Sequence, residues 1–120
     1  MNATSIKVTI NRCDLKHKET PKKELFEFGE MINAELVINE RPERFRTKGM
    51  RYYTRFKGCE IMDGGTLIGA SGDGDTINSS IKNYAKQISG QPLVFGAHSD
   101  HRREFKAPVL FYKPRKEYNK

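Results

Sequence analysis

Residues 72–90, GDGDTINSSIKNYAKQISG, contain the clearest helix signal of the chain and fix the order of the elements around it. The apolar stripe of this helix is formed by Ile77, Ile81, Tyr84, Ala85 and Ile88. This spacing places all five side chains on one helix face. We expect Asp75 to cap the start of the helix and Gly90 to end it.

Three extended segments are predicted before this helix. From Phe26 to Ile38 the even positions are apolar except Glu30, a period of two that predicts one long strand over residues 24–38, with a bend or bulge at Gly29. Residues 50–61 form a second predicted strand and Thr66–Ser71 a third. The Asp-Gly-Gly sequence between them is typical of a hairpin turn.

After the helix, Pro92–Ala97 and Phe105–Tyr112 are predicted strands around the loop HSDHRRE, and Pro108 indicates a sheet edge or a bulge. Ser5–Ile10 alternates apolar and polar residues and predicts an extra N-terminal strand. The fold class predicted from this order is mainly β. Its architecture is a five-stranded barrel like the oligonucleotide-binding fold, with one α-helix between strands three and four.

The length of 120 residues suits one domain, predicted over residues 1–112 and followed by a basic C-terminal tail, 113–120. The formal net charge is +7 and the sequence pI about 9.5, which favours a polyanionic partner. No segment has the length of a membrane span, so a soluble intracellular protein is expected. The two cysteines, Cys13 and Cys59, are too few for a disulfide framework.

Residues 41–57, RPERFRTKGMRYYTRFK, combine seven cations and four aromatic residues with one acid. Cations neutralise phosphates and rings stack on bases, so this pattern favours binding of an unpaired nucleic-acid strand. The alternative is a solvated basic strand edge whose rings lie in the core.

Alternation along the second strand assigns its two faces. Tyr53 is the predicted stacking platform among outward cations, whereas Tyr52 and Phe56 are expected to be buried. Oligonucleotide-binding barrels bind ligands on strands two and three, between the first–second and fourth–fifth loops. The candidate nucleic-acid-binding residues are therefore Arg44, Phe45, Arg46, Lys48, Arg51, Tyr53, Arg55, Lys57, Arg102 and Arg103.

Phe45 and the C-terminal tail each have an alternative interpretation. Phe45 is a second stacking candidate, or else a loop anchor that packs on the barrel. The tail cations are expected to be solvated, although they could add charge to the site. They are Lys113, Arg115, Lys116 and Lys120.

Three patterns that resemble catalytic or metal chemistry are weaker. Cys13 with His17, and His98 with His101, offer four zinc ligands but lack the close spacing of a zinc motif. GASGDGDT lacks the lysine of a P-loop, so a turn with a helix cap is the better interpretation. No carboxylate cluster accompanies Asp100 for a nuclease. We predict no catalytic residue, metal or cofactor.

Residues 72–112, from GDGDTINSSIKNYAKQISGQPLVF to KAPVLFY, resemble the single-stranded DNA-binding proteins of lactococcal siphophages, and the likeness extends over about residues 60–112. The resemblance implies an oligonucleotide-binding fold, a role in phage DNA replication or recombination, self-association, and the cytoplasm of the infected host. It also implies that phage or host recombination and replication proteins are partners. The chain departs from cellular single-strand binders by ending in the basic KPRKEYNK instead of an acidic tail.

Two other functions fit the same features. Basic oligonucleotide-binding domains also bind RNA, and nothing in the sequence recognises the 2′-hydroxyl. A small phage protein could instead use its charge to bind an acidic surface of a host protein.

Overall fold

The computed structural model describes residues 22–118, which are mainly β: nine strands in three sheets, with two α-helices. The strands are β1 (Lys22–Glu24), β2 (Leu36–Glu40), β3 (Tyr52–Phe56), β4 (Cys59–Asp63), β5 (Thr66–Gly69), β6 (Gly72–Gly74), β7 (Pro92–Phe95), β8 (Arg103–Lys106) and β9 (Val109–Phe111). The helices are α1 (Leu25–Met31) and α2 (Ile77–Ile88), and short 3-10 turns lie at Glu43–Phe45 and Lys116–Tyr118. The predicted strand Ser5–Ile10 lies outside the described residues.

The strands β3 and β4 are central to the two larger sheets. β3 pairs with β2 and β6, whereas β4 pairs with β5 and β7, and β8 extends the second sheet; all these pairs are antiparallel. The predicted single strand over residues 50–61 is therefore wrong: β3 and β4 are two strands in different sheets, and the break falls at Gly58, where φ is 69°. The predicted hairpin turn is confirmed, since Asp63 is in register with Thr66.

The predicted five-stranded barrel is not confirmed. Within residues 22–118 the strands form an open three-stranded sheet, an open four-stranded sheet and the isolated pair β1–β9. β2 and β8 both lie at sheet edges and do not pair with each other. The mainly β class is correct, but closure of the sheet is absent in this part of the chain.

The prediction of one long strand over residues 24–38 is wrong, because the first half is helix α1. The side chain of Glu24 caps this helix by accepting hydrogen bonds from the N–H groups of Phe26 and Glu27. Phe28 and Ile32 are both buried, and their separation of four suits a helix face as well as a strand face. The alternation of apolar residues therefore could not distinguish a helix from a strand in this segment.

Glycine 29 is not a bend in a strand but a helical residue packed on the core. A Cβ atom at Gly29 would lie 3.0 Å from Cε1 of Phe56. The absence of a side chain thus lets α1 approach the β3 strand closely. The chain leaves the helix through Asn33, whose φ is 55°, and enters β2 at Leu36.

The predicted last strand, Phe105–Tyr112, is two strands in different sheets. β8 ends at Lys106 and β9 begins at Val109, so Pro108 lies where the chain changes partners. β9 pairs in parallel with β1, with Lys22 in register with Val109. Pro108 thus marks an interruption, as a residue without an N–H donor would.

Helix α2 is confirmed at Ile77–Ile88, but its cap is Thr76 instead of Asp75. The Thr76 side chain accepts from the Ser79 N–H, and the Ser79 hydroxyl accepts from the Thr76 N–H, which forms a reciprocal capping box. Gly90, with φ of 70°, follows the helix as predicted.

The β6 strand packs directly on the backbone of α2. A Cβ atom at Gly72 would overlap Tyr84 N and Ser80 O, and one at Gly74 would overlap the Ser79 side chain. A buried hydrogen bond of 2.8 Å between Thr54 and Ser80 joins β3 to the same helix. These contacts define the inner face of the β2–β3–β6 sheet.

The core under this sheet is aromatic. The Phe56 ring contacts those of Phe28, Tyr84 and Phe95, with centroids 5.7–6.3 Å apart. The hydroxyl of Tyr84 accepts a hydrogen bond of 3.0 Å from the Phe56 N–H, which satisfies a buried donor. No helix of residues 22–118 is long and apolar enough to cross a bilayer.

Candidate nucleic-acid interface

The outer face of the β2–β3–β6 sheet carries the residues predicted from alternation. Thr54 and Phe56 are buried against α2 and the core, so the pleat directs Tyr53 and Arg55 to the opposite side. The two faces of β3 therefore alternate as predicted, although Tyr52 and Tyr53 are both half-buried. The Arg51 guanidinium lies 5.2 Å from the centroid of the Tyr52 ring.

A shallow groove of about 400 Å³ runs along this face between β2 and β3. Its lining residues are Glu35, Val37, Asn39, Tyr53, Arg55 and Lys57. The register places Asn39 opposite Tyr53 and Val37 opposite Arg55. A ring, an amide and cations thus share one open surface.

Two groove cations are available to a ligand. Arg55 and Lys57 are both exposed, and neither forms an ion pair with any residue between 22 and 118. Glu35 lines the groove near Lys57, whose backbone N–H donates to the Glu35 carbonyl. The groove is therefore cationic, with one carboxylate at its edge.

Arg41 crosses over β3 and covers one side of the platform ring. Its guanidinium lies 4.6 Å from the Tyr53 centroid and donates to the Met50 carbonyl at 2.8 Å. It also lies 2.7 Å from a buried carboxylate oxygen of Asp73 on β6, an ion pair whose orientation is not that of a hydrogen bond. These contacts hold the Tyr53 ring in place before any ligand binds.

The loop between β2 and β3, residues 41–51, is held by acids on both sides. Glu40 bridges the Arg46 and Arg51 side chains at 2.9 and 2.8 Å. Its hydrogen bond raises the pKa of Arg51 above its ordinary value. On the other side, Asp75 accepts a hydrogen bond from the Gly49 N–H. Arg46 and Arg51 therefore hold the loop as well as adding charge.

The tip of this loop is exposed. Phe45 is 59 % exposed, so the alternative that it packs on the body of the protein is wrong. The Arg44 guanidinium lies 4.8 Å from the Phe45 ring. Lys48 is exposed nearby in the chain. A free ring beside a cation is available for stacking.

The two arginines of the predicted fourth–fifth loop have other contacts. Arg102 pairs with Glu104 at 2.8 Å on the surface. Arg103 donates to the carbonyls of Ile32 and Asn33 and lies over two core rings, Phe95 and Phe105. Arg103 thus links β8 to the end of α1 and does not line the groove.

The GDGD segment builds the site in a way that the sequence analysis missed. Its glycines face α2, whereas Asp73 and Asp75 face the opposite way and hold Arg41 and the loop. At the N-terminus of α2, the capping box engages the N–H groups of Thr76 and Ser79. Strict alternation of Gly and Asp was the signal that could have revealed this two-sided strand.

The residues considered for metal binding do not assemble within residues 22–118. No group of three or more His, Cys, Asp or Glu side chains in this range could hold a metal ion. His98 and His101 are exposed, and Cys13 and His17 lie outside the described residues.

Arg41, Asn39 and Asp73 join the candidate residues on geometry alone. Arg41 was counted among the cations of the window, but its position over Tyr53 depends on the β2–β3 register.

Comparison of the chain with protein-family models, with curated proteins and with solved structures found no match.

Proposed function

We propose that this chain is a non-enzymatic, largely sequence-independent single-stranded DNA-binding protein. The observation that carries the proposal is the β2–β3 groove, in which Tyr53 lies beside Arg55 and Lys57, two cations without an ion pair to any residue from 22 to 118. Phosphates of an extended strand would lie along the cations, and a base would stack on the ring.

The contacts of Arg41 and Phe45 support the proposal. Because Arg41 holds one side of the Tyr53 ring, a base stacking on the other side would complete a three-layer stack. Phe45 offers a second exposed ring at the loop tip, and the Arg44 guanidinium lies beside this ring. Every base presents a flat face to such rings, which suits binding without sequence preference.

We also propose that the chain has the architecture of an oligonucleotide-binding fold. The position of α2 between two runs of antiparallel strands supports it, and so does the groove along β3. The resemblance of residues 72–112 to phage single-stranded DNA-binding proteins supports DNA as the ligand and phage replication or recombination as the setting.

The proposal is tested by titrating a fluorescent unpaired oligonucleotide and its duplex at about 50 and about 200 mM salt. We expect the unpaired strand to bind more tightly than the duplex and to weaken as salt rises. Equal or tighter duplex binding, or no binding at low salt, would refute the proposal. Tighter binding of the matched RNA strand would assign the groove to RNA.

A further inference from the structure

The outer side of α2 carries positive charge without any acid. Lys82 and Lys86, one turn apart, are exposed, and the twelve residues of the helix include no Asp or Glu. Gln87 is also exposed and adds a polar donor, whereas the exposed Asn83 side chain donates to the Asp73 carbonyl of β6. This side faces away from the core, because Ile81 and its neighbours in the stripe are buried.

An exposed aromatic ring lies beside these lysines. Phe111 of β9 is 46 % exposed, and it lines a groove of about 160 Å³ together with Lys82 and Lys86. It also lines a groove of about 500 Å³ with Lys113 and Arg115. Phe111 therefore lies between cations from the helix and from the C-terminal segment.

The acids near this ring are partly engaged. Glu24 and Glu27 line the larger groove. One oxygen of Glu24 caps α1, and the other accepts from the Lys113 N–H at 3.5 Å. Lys82, Lys86 and Lys113 form no ion pair within residues 22–118.

The C-terminal segment is held against α2 and is not a loose tail up to residue 118. The Asn78 side chain accepts from Tyr112 and the Arg115 N–H and donates to the Arg115 carbonyl. The Arg115 guanidinium lies 3.9 Å from the Phe26 ring centroid. The backbone that carries the C-terminal cations near Phe111 is therefore fixed against α2.

This second surface lies on the other side of α2 from the groove. The Thr54–Ser80 hydrogen bond shows that the inner face of β3 packs on the helix. Arg55 points from the opposite face of β3, and Lys86 from the opposite side of α2. The sheet and the helix therefore separate the two cationic surfaces.

We propose that α2 and β9 form a second binding surface for unpaired nucleic acid, so that one protomer holds two strands at once. Phosphates would contact Lys82, Lys86 and Lys113, and a base would stack on Phe111. The inference rests on the proposed function for the class of ligand, but it concerns different residues. Its consequence is that the protein brings two strands together.

The test is native mass spectrometry, which counts strands per protomer whatever the oligomeric state. The probe is a non-self-complementary DNA strand of about six nucleotides, near the short end of single-domain site sizes. The variants are Lys82→Glu/Lys86→Glu and Phe111→Ala for the second surface, and Arg55→Glu/Lys57→Glu for the groove. Lys106→Glu and Ile68→Ala are matched controls, because Lys106 is an exposed strand cation and Ile68 is 43 % exposed.

We expect the natural protein and both controls to hold two strands, and each class of variant to lose one. A single strand lost only with the groove variant would refute the second surface and leave the proposed function standing. A single strand lost only with the α2 or Phe111 variants would refute the β2–β3 groove as the binding site and leave the second surface standing. Folded α2 and Phe111 variants that still hold two strands would also refute the second surface.

Discussion

At the scale of residues, Tyr53 and Arg55 have separable roles in the proposed site, one as a ring and the other as a charge. Stacking on Tyr53 contributes free energy that does not depend on released counterions, whereas Arg55 contributes through phosphate neutralisation. The two contributions differ in their response to salt.

We expect Tyr53→Ala to weaken binding of an unpaired strand about tenfold with an unchanged salt slope, because a stacked base contributes about 1–3 kcal/mol. Fluorescence anisotropy at several salt concentrations measures both quantities. Tyr53→Phe keeps the ring and is the control. Unchanged affinity of a folded Tyr53→Ala protein would contradict the assignment.

Arg55→Ala should make the slope of log affinity against log salt less negative by about 0.7, the contribution of one phosphate contact to a single strand. The same titrations measure this change. Lys106→Ala removes an exposed cation of β8, outside the groove, and should leave the slope alone. Equal salt slopes for Arg55→Ala and Lys106→Ala would show that Arg55 does not contact a phosphate.

Adjacent arginines 102 and 103 should differ in their effect on stability. Arg103→Ala should lower the free energy of unfolding by about 1–3 kcal/mol, since it removes the hydrogen bonds to the Ile32 and Asn33 carbonyls and the contacts of the guanidinium with the Phe95 and Phe105 rings. Arg102→Ala removes only an exposed ion pair and should cost less than about 1 kcal/mol. Urea unfolding measures both, and similar losses would argue against the structural role of Arg103.

At the scale of elements, sequence patterns predicted those parts whose spacing fits one structure alone. The α2 stripe fits a helix and no strand, and the Asp-Gly-Gly turn fits a hairpin, so both predictions were confirmed. In α1, by contrast, Phe28 and Ile32 satisfy both periods, and the deciding contact is the cap from Glu24.

For the candidate site too, the sequence predicted local features but not the contacts made by tertiary packing. The faces of β3 followed from alternation, which is local in sequence. The partners of the cations are not local, because Arg41 meets Asp73 and Arg103 meets the end of α1 through tertiary packing. Charge alone therefore identified cations without showing which of them are paired.

The approach of β6 to α2 gives a prediction about glycine. Gly72→Ala should lower the free energy of unfolding by about 3 kcal/mol or more, because its Cβ would overlap the helix backbone. Gly69→Ala is the control, since a Cβ there meets nothing within 4 Å. Thermal or urea unfolding compares the two, and equal stabilities would show that the helix can move away at little cost.

At the scale of the whole molecule, core groups link stability to pH. Burial raises the pKa of the Cys59 thiol to about 11 and raises that of Tyr84 as well. The unfolded chain releases these protons at lower pH than the folded chain does. Stability from these groups is therefore complete below the unfolded cysteine pKa, about 8.5, and is lost as pH rises above it.

We accordingly expect the free energy of unfolding to fall between about pH 7.5 and about pH 9.5, the range in which an unfolded cysteine ionises. Urea titrations at both values measure the fall. Cys59→Ala should show a smaller fall, because the alanine has no proton to release. A fall of the same size in that variant would assign the effect to other groups.

The parallel pairing of β1 with β9 has a consequence for synthesis on the ribosome. Residues 25–108 lie between β1 and β9, so β1 must wait for this intervening segment to emerge before its partner exists. Contacts between such distant segments close slowly, because the intervening chain must first be ordered. The grooves beside Phe111, a residue of β9, would accordingly form later than the hairpin of β4 and β5, whose strands are close in sequence.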